Sequence, residues 1–437
     1  MADQPVETSG ALEEVRFLQI EPTTRCNMTC GYCCGRHMEQ ADLSMETFEA
    51  ALAAFPRLEH LELQGEGEPL LHPRFFDLAA RAKERGLEVS FITNGSLLSP
   101  EVVERILDGG FEAVLVSIDS PRAEAFRALR GAPLDKVLEG TRRLVERRRA
   151  RGLALPSIGM AATILRSTQE DLPALVSLYR QLGLDGGLGT QVLNPMPCYL
   201  RHYGPELRRE LVPPREHWAY LAELRALPAV REALDGSNPK GFFSALFWGW
   251  EPGRRRCPWL ERGVYVDHRG AVTGCCMIKD AEHAYGTVGR QSLAELDAGR
   301  EALRGQLARG ETPVPCRGCD VVSMALEGVD PATGLSLVDA FKARDLQSWA
   351  VNCRSLALRS DLDTRLRPLL AEQGIAAPPA AADERVRRLE AELALAKEQC
   401  RRVLEEIEAL RSSKSWKLTG PVRRGLDMLL ALKRRLP

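Results

Sequence analysis

The strongest constraint on the fold is a regular alternation of two patterns between residues 17 and 194. Short apolar or β-branched runs, typical of buried strands, occur at 17–20, 61–63, 89–93, 114–118, 158–164 and 188–193. Helical patterns lie between them at 45–55, 75–85, 100–107, 134–149 and 172–182. Successive βα units imply parallel strands, because parallel strands are joined by crossover connections. We therefore predict an α/β fold with six βα units, arranged either as a partial barrel or as an open sheet.

Three cysteines, Cys26, Cys30 and Cys33, lie in one loop directly after the first predicted strand. Thiolate sulfur is a soft ligand suited to iron–sulfur clusters, copper(I) or zinc. Because a [4Fe–4S] cluster has four irons, three local cysteines would leave one iron open to a substrate or cofactor. The alternative is a closed structural zinc site with Cys34 or His37 as the fourth ligand. The spacing alone thus predicts a metal site and leaves its kind open.

Small and polar residues follow the next three predicted strands at the points where they end. Binding sites in parallel α/β folds lie at the carboxyl ends of strands, so these residues are candidates for the same site as the cysteines. Glycines let a backbone approach a ligand closely, and the carboxylate of Glu68 is suited to an ammonium group. Taken singly, such residues are also typical of turns and helix caps. The candidates are Gly65, Gly67, Glu68, Asn94, Ser117 and Asp119.

Together these residues resemble the radical S-adenosylmethionine (radical SAM) superfamily over about residues 17–195. The matching segments are Cys-x3-Cys-x2-Cys at 26–33, Gly-Glu-Pro at 67–69, Thr-Asn-Gly at 93–95 and Ser-Ile-Asp at 117–119. An aromatic residue, Tyr32, precedes the last cysteine of the loop, as in the family. The family's usual Gly-Gly-Glu has a glutamate, Glu66, in its first place here. The resemblance implies a partial (β/α)6 TIM-like barrel.

The resemblance also implies a chemistry. Cys26, Cys30 and Cys33 would hold a [4Fe–4S] cluster whose open iron is chelated by S-adenosylmethionine. One electron, expected from a flavodoxin- or ferredoxin-type reductant, would cleave that cofactor to a 5′-deoxyadenosyl radical, which abstracts hydrogen from a substrate. The implied cofactor contacts are Gly67 and Glu68 at the methionine end with Gly65 behind them, Tyr32 near adenine, Ser117 and Asp119 near the ribose, and Asn94 in the same pocket.

A second set of cysteines lies further along the chain. Cys257 precedes a predicted hairpin at 264–273, Cys275 follows it, and Cys316 and Cys319 form a Cys-x2-Cys pair. This arrangement resembles the SPASM/twitch module of radical SAM proteins. Since no further cysteines follow at 320–329, the resemblance favours the shorter twitch form with one auxiliary [4Fe–4S] cluster. A structural zinc site with four thiolates is the alternative.

Composition excludes few function classes. A formal net charge of −1 over 437 residues gives no reason to expect nucleic acid as a partner. The sequence opens without a basic-then-apolar leader, and its apolar stretches are too short and interrupted to span a bilayer. Twelve cysteines in a chain of this length favour metal binding or catalysis over a disulfide framework. We expect a soluble cytoplasmic protein.

The C-terminal part has a different period. Apolar residues recur in steps of three and four from 386 to 410, which predicts a coiled coil and a homodimer formed through it. A single amphipathic helix packed on the core is the alternative. A basic amphipathic tail at 412–437 is suited either to weak contact with a membrane surface or to packing on a partner. The predicted division is 1–16 flexible, 17–250 barrel, 251–335 auxiliary-cluster domain, 336–370 helical extension, 371–382 linker, 383–411 coiled coil and 412–437 tail.

The substrate class is predicted from two further resemblances. The tail resembles endings of glycosyltransferases, and the twitch form resembles aminocyclitol dehydrogenases, so the first expectation is an oxidoreductase-like enzyme acting on a sugar, cyclitol or glycan-linked substrate. A peptide- or protein-modifying maturase is the second expectation. From other classes, a non-catalytic iron–sulfur electron carrier would not need the polar strand ends, and a scaffold would not need the three-cysteine loop.

Overall fold

The computed structural model describes residues 12–213 and 253–327, together with the isolated residues Glu216, Tyr220 and Leu224. The extension, linker, coiled coil and tail predicted for 336–437 lie outside these residues, as does most of the predicted flexible N-terminus at 1–16. Within the part of the chain that the structure describes, none of the helices is both long enough and apolar enough to cross a bilayer.

A single nine-stranded sheet organises the described residues. Its strands are β1 Phe17–Ile20, β2 His60–Leu63, β3 Glu88–Thr93, β4 Ala113–Ser117, β5 Ser157–Ile164, β6 Leu188–Val192, β7 Gly263–Val266, β8 Ala271–Thr273 and β9 Gly286–Thr287. The spatial order is β6-β5-β4-β3-β2-β1-β7-β8-β9. Neighbours from β1 to β6 pair in parallel, which gives the mixed α/β fold with a parallel sheet that the sequence predicts. The order is linear, as expected for an open partial barrel.

Helices α1 to α6 connect the parallel strands β1 to β6, and the other helices of the described residues follow β6. The helices are α1 Met45–Ala54, α2 Phe75–Glu84, α3 Pro100–Asp108, α4 Ala123–Arg130, α5 Leu134–Ala150, α6 Leu172–Gln181, α7 Pro197–Leu200, α8 Pro205–Arg209, α9 Pro258–Arg262, α10 Leu293–Ala308 and α11 Asp320–Glu327. The five helices predicted between the strands are all present. Helix α4 was not predicted, because the side chains that it buries, Phe126 and Arg130, are too few to mark a helical period.

Strand alternation separates two apolar clusters. Leu18 and Ile20 of β1 pack with the helices in the larger cluster, whereas Phe17 belongs to a second cluster on the other face. That second cluster also contains Trp259, whose ring meets Phe17 edge to face at 5.6 Å between centroids, together with buried cysteines. Because side chains alternate along a strand, one face of the sheet holds the helices and the other carries the site.

The predicted hairpin extends this sheet. Strand β7 pairs in parallel with β1, so that Phe17 lies opposite Gly263 and Ile20 opposite Val266, and β8 and β9 continue antiparallel. Glu21 at the end of β1 continues the pattern, since its N–H donates to the Val266 carbonyl at 2.9 Å. The first cysteine loop leaves the carboxyl end of β1, whereas β8 runs antiparallel, so the cysteine segment that follows β8 starts toward the amino ends of β1 and β7.

Candidate cofactor site

Both sets of cysteines line one cavity of about 400 Å³. Its walls come from the loops at the carboxyl ends of the parallel strands and from the segment after β8. The lining cysteines are Cys26, Cys30, Cys33, Cys257, Cys275, Cys276, Cys316 and Cys319. Of the other predicted site residues, Tyr32, Gly65, Gly67, Glu68, Asn94 and Ser117 also line it. Asp119 is the one predicted residue that does not line this cavity.

Helix α4 holds the first cysteine loop from one side. The N–H of Thr29 donates to the carbonyl of Arg130, and the N–H of Gly31 to that of Leu129, each at 3.1 Å. Gly131, which ends α4 with φ +68°, lies so close that an added Cβ would meet Thr29 Oγ1 at 2.0 Å. The protein's own backbone contacts therefore hold this loop in place without a bound metal.

Asn94 holds the same loop from the other side. Its Nδ2 donates to Asn27 Oδ1 at 2.9 Å and lies 3.8 Å from Cys26 Sγ, and Asn27 in turn donates to Ser96 Oγ at 2.8 Å. Asn94 Oδ1 accepts from the N–H and hydroxyl of Ser96. Within the protein, the role of Asn94 is therefore to position the first cysteine loop. Ser117, at the end of β4, is half-buried in the cavity wall.

Asp119 lies behind the cavity wall in a buried ion pair. Arg130 Nε donates to its Oδ2 at 2.7 Å and Arg130 Nη2 to its Oδ1 at 2.8 Å. The hydroxyl of Tyr32 and the N–H of Thr163 donate to the same carboxylate at 2.5 and 2.9 Å. Both oxygens are thus occupied within the protein, so Asp119 orients Tyr32 and Arg130 beside the cavity. A direct contact between Asp119 and a ribose would require these partners to be exchanged.

The two glycines after β2 are needed for packing against the chain itself. A Cβ on Gly67 would lie 2.2 Å from the Thr23 carbonyl oxygen, and one on Gly65 would lie 2.2 Å from Glu21 Oε1. Glu21 Oε1 accepts the N–H of Glu66 at 2.7 Å, which explains the close approach at Gly65. These glycines let the loop after β2 lie directly against the first cysteine loop.

Glu68 is buried against the end of β3. Its carboxylate accepts from the Thr93 hydroxyl at 2.7 Å, the Asn94 N–H at 2.6 Å and the Leu70 N–H at 3.3 Å. Burial raises the pKa of Glu68 to about 7, although these donors act to lower it. Glu68 therefore joins the loop after β2 to β3 and presents a carboxyl group whose charge depends on pH near neutrality.

Cys26 of the first loop is exposed, and Cys30 and Cys33 are half-buried. Burial is the main cause that raises the pKa of each thiol; the charge of Glu66, followed by those of Cys30 and Cys26, raises that of Cys33 further, whereas Arg130 acts to lower those of Cys26 and Cys30. Thiolates in such surroundings need a cation, and the binding of a metal supplies it while releasing the protons.

The second set converges in the same way. Cys257 precedes α9, Cys316 ends a short 3-10 helix and Cys319 precedes α11. Burial raises the pKa of Cys275 well above its ordinary value, and the charges of Cys276, Cys316, Cys319 and Cys257 raise it further. Burial likewise raises the pKa of Cys316 to about 12. The second set therefore offers four thiol donors, Cys257, Cys275, Cys316 and Cys319, and Cys276 is a fifth thiol close to Cys275.

The distance between thiolate sulfurs differs between a single zinc ion and an iron–sulfur cluster. Tetrahedral zinc with Zn–S bonds of about 2.3 Å requires sulfurs about 3.8 Å apart. Among residues 12–213 and 253–327, the one group of three His, Cys, Asp or Glu donors that all lie within 4.8 Å of one another is Asp280, Glu282 and His283. In the described residues, no three thiols of either cysteine set lie within 4.8 Å of one another.

Between the two sets lies an ion pair that the sequence analysis missed. Lys279 Nζ is 3.3 Å from Glu66 Oε1 and donates to the Tyr265 hydroxyl at 2.9 Å, and the Tyr199 hydroxyl donates to Glu66 Oε1 at 2.8 Å. Burial is the largest single effect on Glu66 and acts to raise its pKa, but the charge of Lys279 together with hydrogen bonds from Tyr199, Cys34 and Lys279 lowers that pKa overall. The pKa of Lys279 is raised well above its ordinary value although burial acts to lower it, so the pair is ionised in the cavity wall even though both side chains are nearly buried.

Comparison with known proteins gives a family for the first part of the chain. Residues 20–176 match the model of the Radical SAM superfamily. The chain is 31% identical over 189 residues to the tungsten-containing aldehyde ferredoxin oxidoreductase cofactor-modifying protein of Pyrococcus furiosus, which covers 42% of this chain and 53% of that protein. The chain thus spans about half the length of that relative.

Two other similarities extend further along the chain. The PqqA peptide cyclase of Granulibacter bethesdensis is 25% identical over 364 residues, covering 81% of this chain and 87% of that protein. The solved structure of native anSMEcpe with bound AdoMet and Cp18Cys peptide covers 82% of this chain and 98% of its own, with a TM-score of 0.53 and 15% sequence identity. At this identity, the structural likeness indicates the fold alone.

Proposed function

We propose, from the match of residues 20–176 to the model of the Radical SAM superfamily, that the chain is a peptide- or protein-modifying radical SAM enzyme with one auxiliary iron–sulfur cluster. The observation that carries the proposal is the single cavity lined by both cysteine sets. A substrate in that cavity would lie within reach of an open three-thiolate site and of a closed four-thiolate site.

Cys26, Cys30 and Cys33 would hold the first cluster, and Cys257, Cys275, Cys316 and Cys319 the second. When bound, the first cluster with S-adenosylmethionine supplies one-electron reductive cleavage and a 5′-deoxyadenosyl radical. The electron would come from a flavodoxin- or ferredoxin-type reductant. A fully ligated second cluster is suited to electron transfer. It would either accept an electron from the substrate radical, which would make the net reaction a two-electron oxidation of the substrate, or relay an electron inward.

The chain's own residues hold the cofactor site in its arrangement. Arg130 and Asp119 hold Tyr32 in the cavity wall, and Asn94 holds the loop that carries Cys26. The buried hydroxyl and carboxylate groups are paired with each other, so the cavity is bounded by a pre-arranged polar wall. Such a wall orients a cofactor without further reorganisation.

A peptide substrate is supported better than a sugar. The similarity to the peptide cyclase covers 81% of this chain, well beyond the 20–176 stretch that matches the superfamily model. In the sequence, the form of the auxiliary module and of the tail favours a sugar or cyclitol substrate. The relatives favour a peptide substrate instead, and the tail lies outside the described residues.

The test is anaerobic reconstitution followed by product analysis with candidate precursor peptides encoded beside the gene. Two [4Fe–4S] clusters predict about eight irons per chain in the wild type and about four in the Cys316→Ala/Cys319→Ala variant. Peptides deuterated at candidate side chains should transfer deuterium to 5′-deoxyadenosine and gain a mass change. Deuterium transfer from sugars and from none of the peptides would overturn the assignment of the substrate class.

A further inference from the structure

The ion pair formed by Glu66 and Lys279 lies where the two cysteine sets face each other. Glu66 follows β2, and Lys279 follows Cys275 by four residues on the auxiliary segment. Their side chains are only 14% and 7% exposed, respectively. The proposed function gives this pair no role, although both residues line the cavity.

Glu66 also approaches one of the proposed cluster ligands. Its Oε2 lies 3.6 Å from Cys33 Sγ, while its Oε1 faces Lys279 and Tyr199. Gly35 leaves room for this side chain, because a Cβ on Gly35 would lie 2.5 Å from Glu66 Cβ. The loop thus accommodates a carboxylate at a place where the family pattern has glycine.

An unbalanced carboxylate at this distance would act on the cluster that Cys33 helps to hold. Three thiolates already make the site electron-rich, and reduction adds a further negative charge. A buried carboxylate opposes that reduction, and a buried ammonium group favours it, because charges interact strongly where water is excluded. Lys279 supplies the balancing charge from the auxiliary segment.

We propose that Glu66 and Lys279 form a charge-balancing pair that sets the reduction potential of the cluster held by Cys26, Cys30 and Cys33. The inference rests on the proposed function, since it requires that cluster. Glu66 and Lys279 would then act on the cluster through their charges and would touch no reacting atom. The auxiliary segment thereby contributes to the first site as well as carrying its own.

The pair predicts opposite effects for its two members. Glu66→Gln leaves the ammonium group unbalanced and raises the midpoint potential. Lys279→Met leaves the carboxylate unbalanced and lowers it. The double variant returns toward the wild-type value, and Lys279→Arg, which keeps the charge, stays there. A purely structural role would not give shifts of opposite sign that cancel.

The experiment is a redox titration of the full reconstituted chain, followed by electron paramagnetic resonance. The first cluster is identified by the part of the signal that changes on addition of S-adenosylmethionine, because its iron is open and the auxiliary cluster is closed. Glu282→Gln is the matched control: it removes the same carboxylate charge on the same segment, but this side chain is 78% exposed, so water screens it. It should leave the midpoint unchanged.

Shifts of equal sign in the two single variants, or shifts no larger than that of Glu282→Gln, would overturn the inference. If Lys279→Met does not fold, Glu66→Gln and Lys279→Arg decide the outcome: the first should raise the midpoint potential and the second should leave it unchanged, and any other result would overturn the inference. A wild-type chain that gives no signal responsive to S-adenosylmethionine would instead refute the proposed function. The two failures are therefore distinguishable.

Discussion

Replacement of Arg130 by methionine tests the structural centre of the site. Arg130 makes a two-bond fork with Asp119, at 2.7 and 2.8 Å, and Asp119 is 0% exposed. Methionine keeps much of the volume but leaves a buried carboxylate without its cation. Two unit charges about 4 Å apart at an effective dielectric constant of 20 interact by about 4 kcal/mol. Loss of one partner of a buried pair costs about 3–5 kcal/mol, which agrees.

The assay is denaturant unfolding of the metal-free chain under anaerobic conditions, with wild type and variant compared at one pH. Arg74→Met is the matched control, because the pair of Arg74 with Asp77 is 2.9 Å long but about half exposed on both sides. Such pairs contribute at most about 1 kcal/mol. Adding Asp119→Asn to Arg130→Met should restore part of the loss. An Arg130→Met variant no less stable than Arg74→Met would refute the role given to this pair.

Two further predictions concern the loop after β2. Gly67→Ala should lower the free energy of unfolding by about 1–3 kcal/mol, because its Cβ would overlap the Thr23 carbonyl oxygen. The control is Gly31→Ala, which should cost less than about 1 kcal/mol because a Cβ there would have nothing within 4 Å. Equal stabilities of the two variants in thermal unfolding would contradict this. The raised pKa of Glu68, about 7, means that the folded state holds its proton longer, so stability should fall by at most about 3 kcal/mol as pH rises from about 4.5 to 7 and level off above. Glu68→Gln should remove that pH dependence in denaturant titrations, and an unchanged profile would show that other groups cause it.

The fold could be predicted from sequence where local pattern decides it. All six βα strands lie within about one residue of their predicted bounds, since each is a short apolar run between turn residues. Helix α4 escaped because it buries little more than Phe126 and Arg130. The hairpin was predicted, but its pairing with β1 was not, because the register of a distant strand leaves no local trace.

The cysteine positions could likewise be found by spacing, whereas their supports could not. Arg130 and Lys279 carry charges that are ordinary in sequence, and their burial becomes evident only once Asp119 and Glu66 are seen beside them. One signal was present: Glu66 stands where the resembling family has glycine. This departure from the family pattern marked Glu66 as unusual, but its partner, Lys279, lies in a distant part of the sequence.

The central claim is that the first cysteine loop holds a cluster that acts on S-adenosylmethionine. Release of 5′-deoxyadenosine from the reconstituted chain, with dithionite as the reductant, tests it most directly. The account predicts release by the wild type, none by Cys30→Ala, and retained release by Cys316→Ala/Cys319→Ala in the absence of peptide. A fully iron-loaded wild type that releases no 5′-deoxyadenosine would contradict it.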